Sequence, residues 1–169
     1  WYTIKQAKEC NMFTKIVISS DSDKILKIGK NFKLDLMIKR PNNLCTDNVS
    51  KLKVIKHAFQ YSENFFKIKF DHIFDLDITA PLRTVLDIKK VYKKIKNKKK
   101  CNIISISASR KNPYFNMVAL NKKKIKLVKN KKNKNYFSRQ KAPKTFDIDP
   151  SVNAWTRKSI LETSMLLQV

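Results

Sequence analysis

Hydrophobic residues along this chain recur with two periods, and the switches between them predict strands alternating with helices. Ile16-Val17-Ile18, inside Lys15–Ser20, is a β-branched run of the kind that forms a buried parallel strand. Leu34–Ile38, Asp71–Asp77 and Asn102–Ala108 read as further strands, the last through Ile103, Ile104 and Ile106. Helical spacing fills the intervals. Thr3–Asn11 predicts a short helix with Ile4 and Ala7 on one face. Ile25, Ile28 and Phe32 mark the inward face of a second helix, which Asp21 or Ser22 can cap. A third runs from about Val49 to Phe59, capped by Asp47 or Asn48, with Val49, Leu52, Ile55 and Phe59 toward the core. A fourth covers Val85–Ile95, and a fifth Arg157–Leu167. Met117–Lys129 suggests a hairpin turning through Asn121-Lys122-Lys123-Lys124, and Asn130–Asn135 is a low-complexity loop. This order predicts an α/β fold, a three-layer sandwich around a mostly parallel sheet.

Composition adjusts that picture in three ways. The chain has 169 residues, 42% of them hydrophobic, enough for one domain with a real core. No run is long or apolar enough to span a membrane and no cleavable signal opens the chain, so a cytoplasmic protein without membrane contact is expected. Cys10, Cys45 and Cys101 lack zinc spacing and read as reduced thiols. The formal net charge is +25, which makes polyanions an obvious class of partner. The cations are overwhelmingly Lys alongside abundant Asn and Ile, as an A/T-rich coding sequence would produce. Weak, mainly electrostatic binding of nucleic acid is expected on that basis. A non-catalytic nucleic-acid-binding module is the alternative reading, with Phe65-Phe66 and Tyr136-Phe137 as candidate stacking residues.

The chemistry concentrates in Leu76–Arg83, LDITAPLR. An apolar strand that ends in Thr-Ala-Pro and passes into a helix is how open α/β sheets present a ligand crevice. Pro81 ends the strand because it cannot donate to the ladder. Arg83 would put a fixed positive charge at the rim, suited to phosphate or carboxylate; an ordinary surface Arg fits the same residues. Asp75 and Asp77 share a strand face, a spacing that could recruit Mg²⁺ or leave two solvated acids. Ser50 and Lys51 fall in the first turn of a helix, where free N–H groups favour an anion. Arg139-Gln140 sets a guanidinium beside an amide, a pair able to hold a carboxylate.

Taken together, LDITAPLR (76–83), KIVISSD (15–21), Arg40-Pro41, TDNVSKLKVIKHA (46–58), KNPYFNMV (111–118) and SRQKAP (138–143) resemble, in order, the motifs of the acylneuraminate cytidylyltransferases, the CMP-sialic acid synthetase family. The resemblance covers nearly the whole chain. It implies a Rossmann-like nucleotidyltransferase fold in a single domain over 1–169, with an excursion or dimerisation hairpin around 114–137. It implies an enzyme that joins CTP to a nonulosonic acid and releases pyrophosphate, with Mg²⁺ as cofactor and a homodimer as the assembly. It makes Arg40, Ser50, Lys51, Asp77 and Arg83 candidates for the nucleotide, and Asn112, Arg139 and Gln140 candidates for the acidic sugar. Asp77 is the one candidate metal ligand, the main ligands being expected outside this chain.

The chain also departs from the family pattern. Lys51 stands where many relatives carry a small hydroxyl residue, and Asp77 where many carry Gln. Asp149, Pro150 and Asn153 differ from the corresponding Asn-Gly/Ala-Ser-Ile-Tyr stretch. Relatives begin with a strand and an Ala-Arg-x-x-Ser-Lys phosphate loop, and carry a pair of metal-binding acids further on. This chain has one glycine, Gly29, in a helical stretch. It is therefore expected to be truncated at both ends, and not to turn over by itself.

Overall fold

The computed structural model describes residues 1–121, 124–129 and 136–164. They divide into two compact units, one of residues 1–104 with the chain from Pro150 onward, the other Ser105–Asp149. The expected excursion over 114–137 falls in the second unit.

The first unit opens with α1 (Tyr2–Glu9), followed by β1 (Val17–Ser20), α2 (Asp23–Asn31) and β2 (Leu36–Lys39). Strands β1 and β2 pair in parallel, Val17 against Leu36 through Ser20 against Lys39. This βαβ turn needs α2 to lie close on the strands, and its contact residue is Gly29, which is buried. Ile25 and Ile28, expected to face inward, are exposed at 36% and 45%. The absence of a side chain at Gly29 lets the helix approach the strands on that side, which turns the isoleucines outward.

A short 3₁₀ turn (Asn42–Leu44) leads to α3 (Lys51–Phe66), β3 (His72–Asp75) and α4 (Val85–Ile95). Helix α3 runs well beyond the expected Phe59, to Lys67 in the left-handed region at φ 57. Its N-cap is Ser50 rather than Asp47 or Asn48. Helix α4 has the predicted bounds because Thr84 and Asp87 form a capping box at its start.

Strands β4 (Asn102–Ala108) and β7 (Phe146–Thr156) carry the chain from one unit to the other and back, and the sheet order is β3-β7-β4. Within the first unit β3 pairs antiparallel with β7, Ile73 against Trp155 and Phe74 against Ala154. Alternation sorts the side chains onto two faces. Trp155 and Ile73 join Leu52, Ile55 and Phe59 of α3 and Ile160 of α5 (Arg157–Glu162). On the other face Val152 and Phe74 meet Ile88, Val85 and Val91 of α4 and Cys10 after α1. Helices thus cover both faces of β3 and β7. The parallel pairing is β1 with β2, whereas β3 with β7 and β5 with β6 run antiparallel, so the pairings are mixed where a mostly parallel sheet was expected.

Strand β7 has no counterpart in the sequence reading. Asp147, Asp149 and Pro150 argue against a strand there, yet Val152–Thr156 is its fully buried half. Helix α5 closes at Glu162 instead of Leu167, of which the last residues lie outside those described. The three cysteines are free. Among the described residues no helix is long and apolar enough to cross a membrane.

The second unit holds a two-stranded antiparallel hairpin, β5 (Val118–Asn121) and β6 (Lys124–Leu127). Asn121 pairs with Lys124, the two residues that flank the expected turn, and Lys122-Lys123 lie outside the described residues. The loop 130–135 lies outside them too.

A methyl group on Gly29 would meet Cγ2 of Ile18 at 2.8 Å and Cγ of Met37 at 3.1 Å. Alanine in a helix interior gains about 1 kcal/mol over glycine, but overpacking costs about 1–3 kcal/mol. The Ile18 methyl sits on a β-branched carbon that has little freedom to yield. Gly29→Ala is therefore expected to lower stability by about 1 kcal/mol, read as a lower urea midpoint.

Candidate functional site

The turn after β3 is built around a buried cation. Arg83 is 5% exposed, away from the rim position expected for it. Its Nε donates to Gln6 Oε1 at 3.0 Å, and its Nη2 to Thr3 Oγ1 at 2.6 Å and to the Asp77 carbonyl at 2.8 Å. Its Nη1 donates to the Ser151 carbonyl. Gln6 in turn donates to the carbonyls of Pro81 at 3.0 Å and Arg83 at 2.6 Å. A guanidinium has a planar fork of donors, so it can hold several elements at fixed angles at once. Here those elements are α1, the turn and β7.

That clamp fixes the backbone of Asp77, whose side chain then makes three short bonds. Asp77 Oδ1 accepts from Thr79 N at 2.9 Å and Thr79 Oγ1 at 2.7 Å. Asp77 Oδ2 accepts from Lys51 Nζ at 2.7 Å, and the same ammonium lies 2.8 Å from Asp75 Oδ2. Lys51 therefore bridges both carboxylates from the first turn of α3. Burial pushes the Asp77 carboxyl up, but the bonds from Lys51 and Thr79 and the Lys51 charge outweigh it and hold the group at about 2. Burial likewise pulls the Lys51 ammonium down, while its bonds to Asp75 and Asp77 and their charges prevail and raise it.

Arg40 and Ser50 are placed differently. Arg40 follows β2 and donates from Nη2 to the Ser19 carbonyl at 2.9 Å, at the carboxyl ends of the parallel pair. Its Nε and the Ser19 hydroxyl are both buried without a hydrogen-bond partner. Ser50 is exposed at the start of α3 and its side chain makes no cap bond.

The sugar candidates belong to the second unit. Asn112 is 5% exposed, its amide donating to the Pro143 carbonyl at 2.8 Å and its Oδ1 accepting from Tyr114 N at 2.9 Å. Arg139 and Gln140 are exposed in a turn, and Arg139 Nη2 donates to the Arg110 carbonyl at 2.9 Å. The loops that carry Asn112 and Arg139-Gln140 are thus tied to each other within that unit.

Residues 1–161 match the model of the family described as Cytidylyltransferase. The chain belongs to the cytidylyltransferase family. It is 39% identical over 161 residues to the CMP-N,N'-diacetyllegionaminic acid synthase of Campylobacter jejuni, and 37% identical over 161 residues to the post-translational flagellin modification protein B of Campylobacter coli. Each match covers 95% of this chain and 67% of the relative. The N-acylneuraminate cytidylyltransferase of Escherichia coli is 28% identical over 113 residues, 65% of this chain and 25% of that protein.

In this cytidylyltransferase the carboxylate pair does not fit a divalent metal, because the Lys51 ammonium already fills the space between Asp75 and Asp77. Among the described residues no group of three or more His, Cys, Asp or Glu is arranged to hold one. Sequence reasoning missed Thr3 and Gln6, which brace the motif from the start of the chain. Their spacing on one face of α1 is the only signal, and it is indistinguishable from a solvated helix face.

The Lys51 bridge has a testable pH signature. The Asp77 carboxyl is depressed below its ordinary 3.8, so its contribution is present above that value and lost as pH falls toward about 2. Lys51 is raised, so its contribution holds below its ordinary 10.5 and is lost only as pH rises through the higher folded value. Lys51→Met keeps the stem and removes the charge. It is expected to cost about 1 kcal/mol at neutral pH and to flatten the fall in stability between pH 4 and 2, measured by urea unfolding at each pH.

Proposed function

We propose that this cytidylyltransferase joins CTP to a nonulosonic acid, giving the CMP-sugar and pyrophosphate. The observation that carries the reading is the match over 161 residues to a protein named as a CMP-N,N'-diacetyllegionaminic acid synthase. In such a transfer a sugar hydroxyl attacks the α-phosphorus of CTP. The bond to the β-phosphate oxygen breaks, pyrophosphate leaves, and the hydroxyl proton is released. No protein nucleophile is required, so the residues act by positioning and by charge stabilisation.

The largely parallel three-layer nucleotidyltransferase fold of the family belongs to the same proposal, supported by the β1–β2 pair and by helices on both faces of β3 and β7. CTP is assigned to the carboxyl ends of the strands. Arg40 Nε and Ser19 Oγ support this, because buried polar atoms without partners are costly and a bound nucleotide could satisfy them. Ser50 offers an uncommitted hydroxyl at the start of α3. Asp77 serves as an acceptor fixed by Lys51 and Thr79, and Arg83 acts through the Asp77 backbone. The acidic sugar is assigned to Arg139 and Gln140, with Asn112 holding the loop that faces them within their unit. Mg²⁺ is proposed as the counter-ion of the triphosphate, with ligands other than the Asp75–Asp77 pair.

A homodimer through the β5–β6 hairpin forms part of the proposal. Val118 pairs with Leu127 and Leu120 with Ile125, which puts four apolar residues on one face, exposed at 60%, 39%, 75% and 70% respectively. An exposed apolar ladder of that kind marks an interaction surface, and a second copy offers the same face.

Two measurements test these assignments in a protein extended to the relatives' full length. Pyrophosphate release is expected only when CTP and a nonulosonic acid are both present, and Arg139→Ala is expected to raise the sugar KM about tenfold or more while leaving the CTP KM nearly unchanged. Unchanged sugar kinetics would remove the assignment of Arg139. Separately, Leu120→Asp with Ile125→Asp is expected to shift sedimentation from dimer to monomer without loss of helical circular dichroism. A dimer that survives both substitutions would place the interface elsewhere.

A further inference from the structure

At the entry of β3 lies a second charged concavity, of about 650 Å³, within the first unit. His72 lines it, three residues before Asp75 at the other end of β3, a distance of roughly 10 Å along the strand. Lys96, Lys98 and Lys99 after α4 line it from one side, and Arg157 and Lys158 of α5 from another. Against these five cations it presents two carboxylates, Asp71 and Glu162. Their arrangement decides which charges are available. Arg157 is held in a fork by Glu63, from Nε at 2.9 Å and Nη2 at 3.1 Å. Glu162 is held by Lys100 at 2.7 Å. Lys96, Lys98, Lys99 and Lys158 make no ion pair among the described residues, so four exposed lysines line the space against Asp71 and against Glu162, which is paired with Lys100 and also feels the charge of Lys158.

We infer that this concavity binds a compact, multiply charged phosphate compound, at a site separate from the one proposed for CTP transfer. Four lysines lining one space favour a ligand with several negative charges, since a single carboxylate would engage only one or two of them. Lysines act as mobile point charges suited to phosphate oxygens, whereas the forked guanidinium here is already spent. The volume matches small-ligand sites of about 300–1,000 Å³. An extended nucleic acid is the poorer fit. Its bases would need open aromatic faces, and the two rings here, His72 and Tyr92, stand edge to face at 86° with Tyr92 37% exposed. The inference does not rest on the proposed transferase activity.

The test is calorimetric titration of inorganic tripolyphosphate into the 169-residue chain and two charge-matched variants. One carries Lys96→Gln, Lys98→Gln, Lys99→Gln and Lys158→Gln. The other carries Lys24→Gln, Lys27→Gln, Lys30→Gln and Lys33→Gln, exposed lysines outside this concavity. The first is expected to weaken binding by at least about tenfold and the second by less than about twofold. Equal loss in both would show that net charge alone attracts the anion and would overturn the site, as would full binding by the first variant. Should the fourfold variant fail to fold by circular dichroism, Lys98→Gln with Lys158→Gln gives the same comparison. Adenosine triphosphate distinguishes the source of the phosphates. Tighter binding than tripolyphosphate, lost in Tyr92→Ala, supports a nucleotide-borne chain, and equal binding supports a bare one. An oligothymidylate that outcompetes both and is weakened equally by either variant would overturn the inference.

Discussion

The buried Arg83 guanidinium is the constraint from which the site follows. A charge that is 5% exposed is tolerated only if its donors are satisfied. Thr3, Gln6, Ser151 and the Asp77 carbonyl supply acceptors from three separate parts of the chain. Satisfying the charge therefore draws α1, β7 and the turn after β3 to one point. Once the Asp77 backbone is fixed, its side chain has a defined direction, and Lys51 meets it there together with Asp75. One desolvated cation thus sets the geometry of a second, partly exposed one, and through it ties the start of α3 to the end of β3.

Sequence periodicity located the elements whose signals are local. Helix α4 carries both its apolar spacing and its capping box within Thr84–Ile95, so its bounds are legible without tertiary knowledge. Strand β4 is equally local. The face of α2 was not legible, because the residue that decides it is a glycine, whose role is to be absent from the contact. Strand β7 was hidden for the opposite reason. Its first half reads as a polar loop with Pro150, and its buried half is specified by partners distant in sequence, Ile73 and Phe74.

The candidate site was legible as a position and less so as a set of roles. LDITAPLR does mark the turn where the polar network gathers. Charge type alone could not tell whether Arg83 and Lys51 face a ligand or the protein, since both environments reward a cation. What separates them is that Lys51 reaches Asp75 as well as Asp77, and that Arg83 reaches a polar face on α1, relations that appear only when the chain is folded. Family membership and the collinear motifs narrow the chemistry, while hydrogen-bond partners apportion the labour among the residues.

Ligand-binding capacity in this fold is best measured by what remains unspent. Lys51 has both carboxylates within 2.8 Å, and Arg83 donates to four acceptors, so neither has much left for a substrate without rearrangement. Arg40 retains an unpartnered Nε, Ser19 an unpartnered hydroxyl, and Ser50 a hydroxyl that caps nothing. Arg139 gives one donor to a backbone carbonyl and keeps the rest of its fork exposed. The same accounting separates Arg157, held by Glu63, from the lysines around it. With a net charge of +25, cations are abundant everywhere on this chain, so the presence of a Lys or Arg discriminates poorly. A buried cationic donor without a partner, such as Arg40 Nε, discriminates well, because its desolvation is unfavourable until something negative arrives.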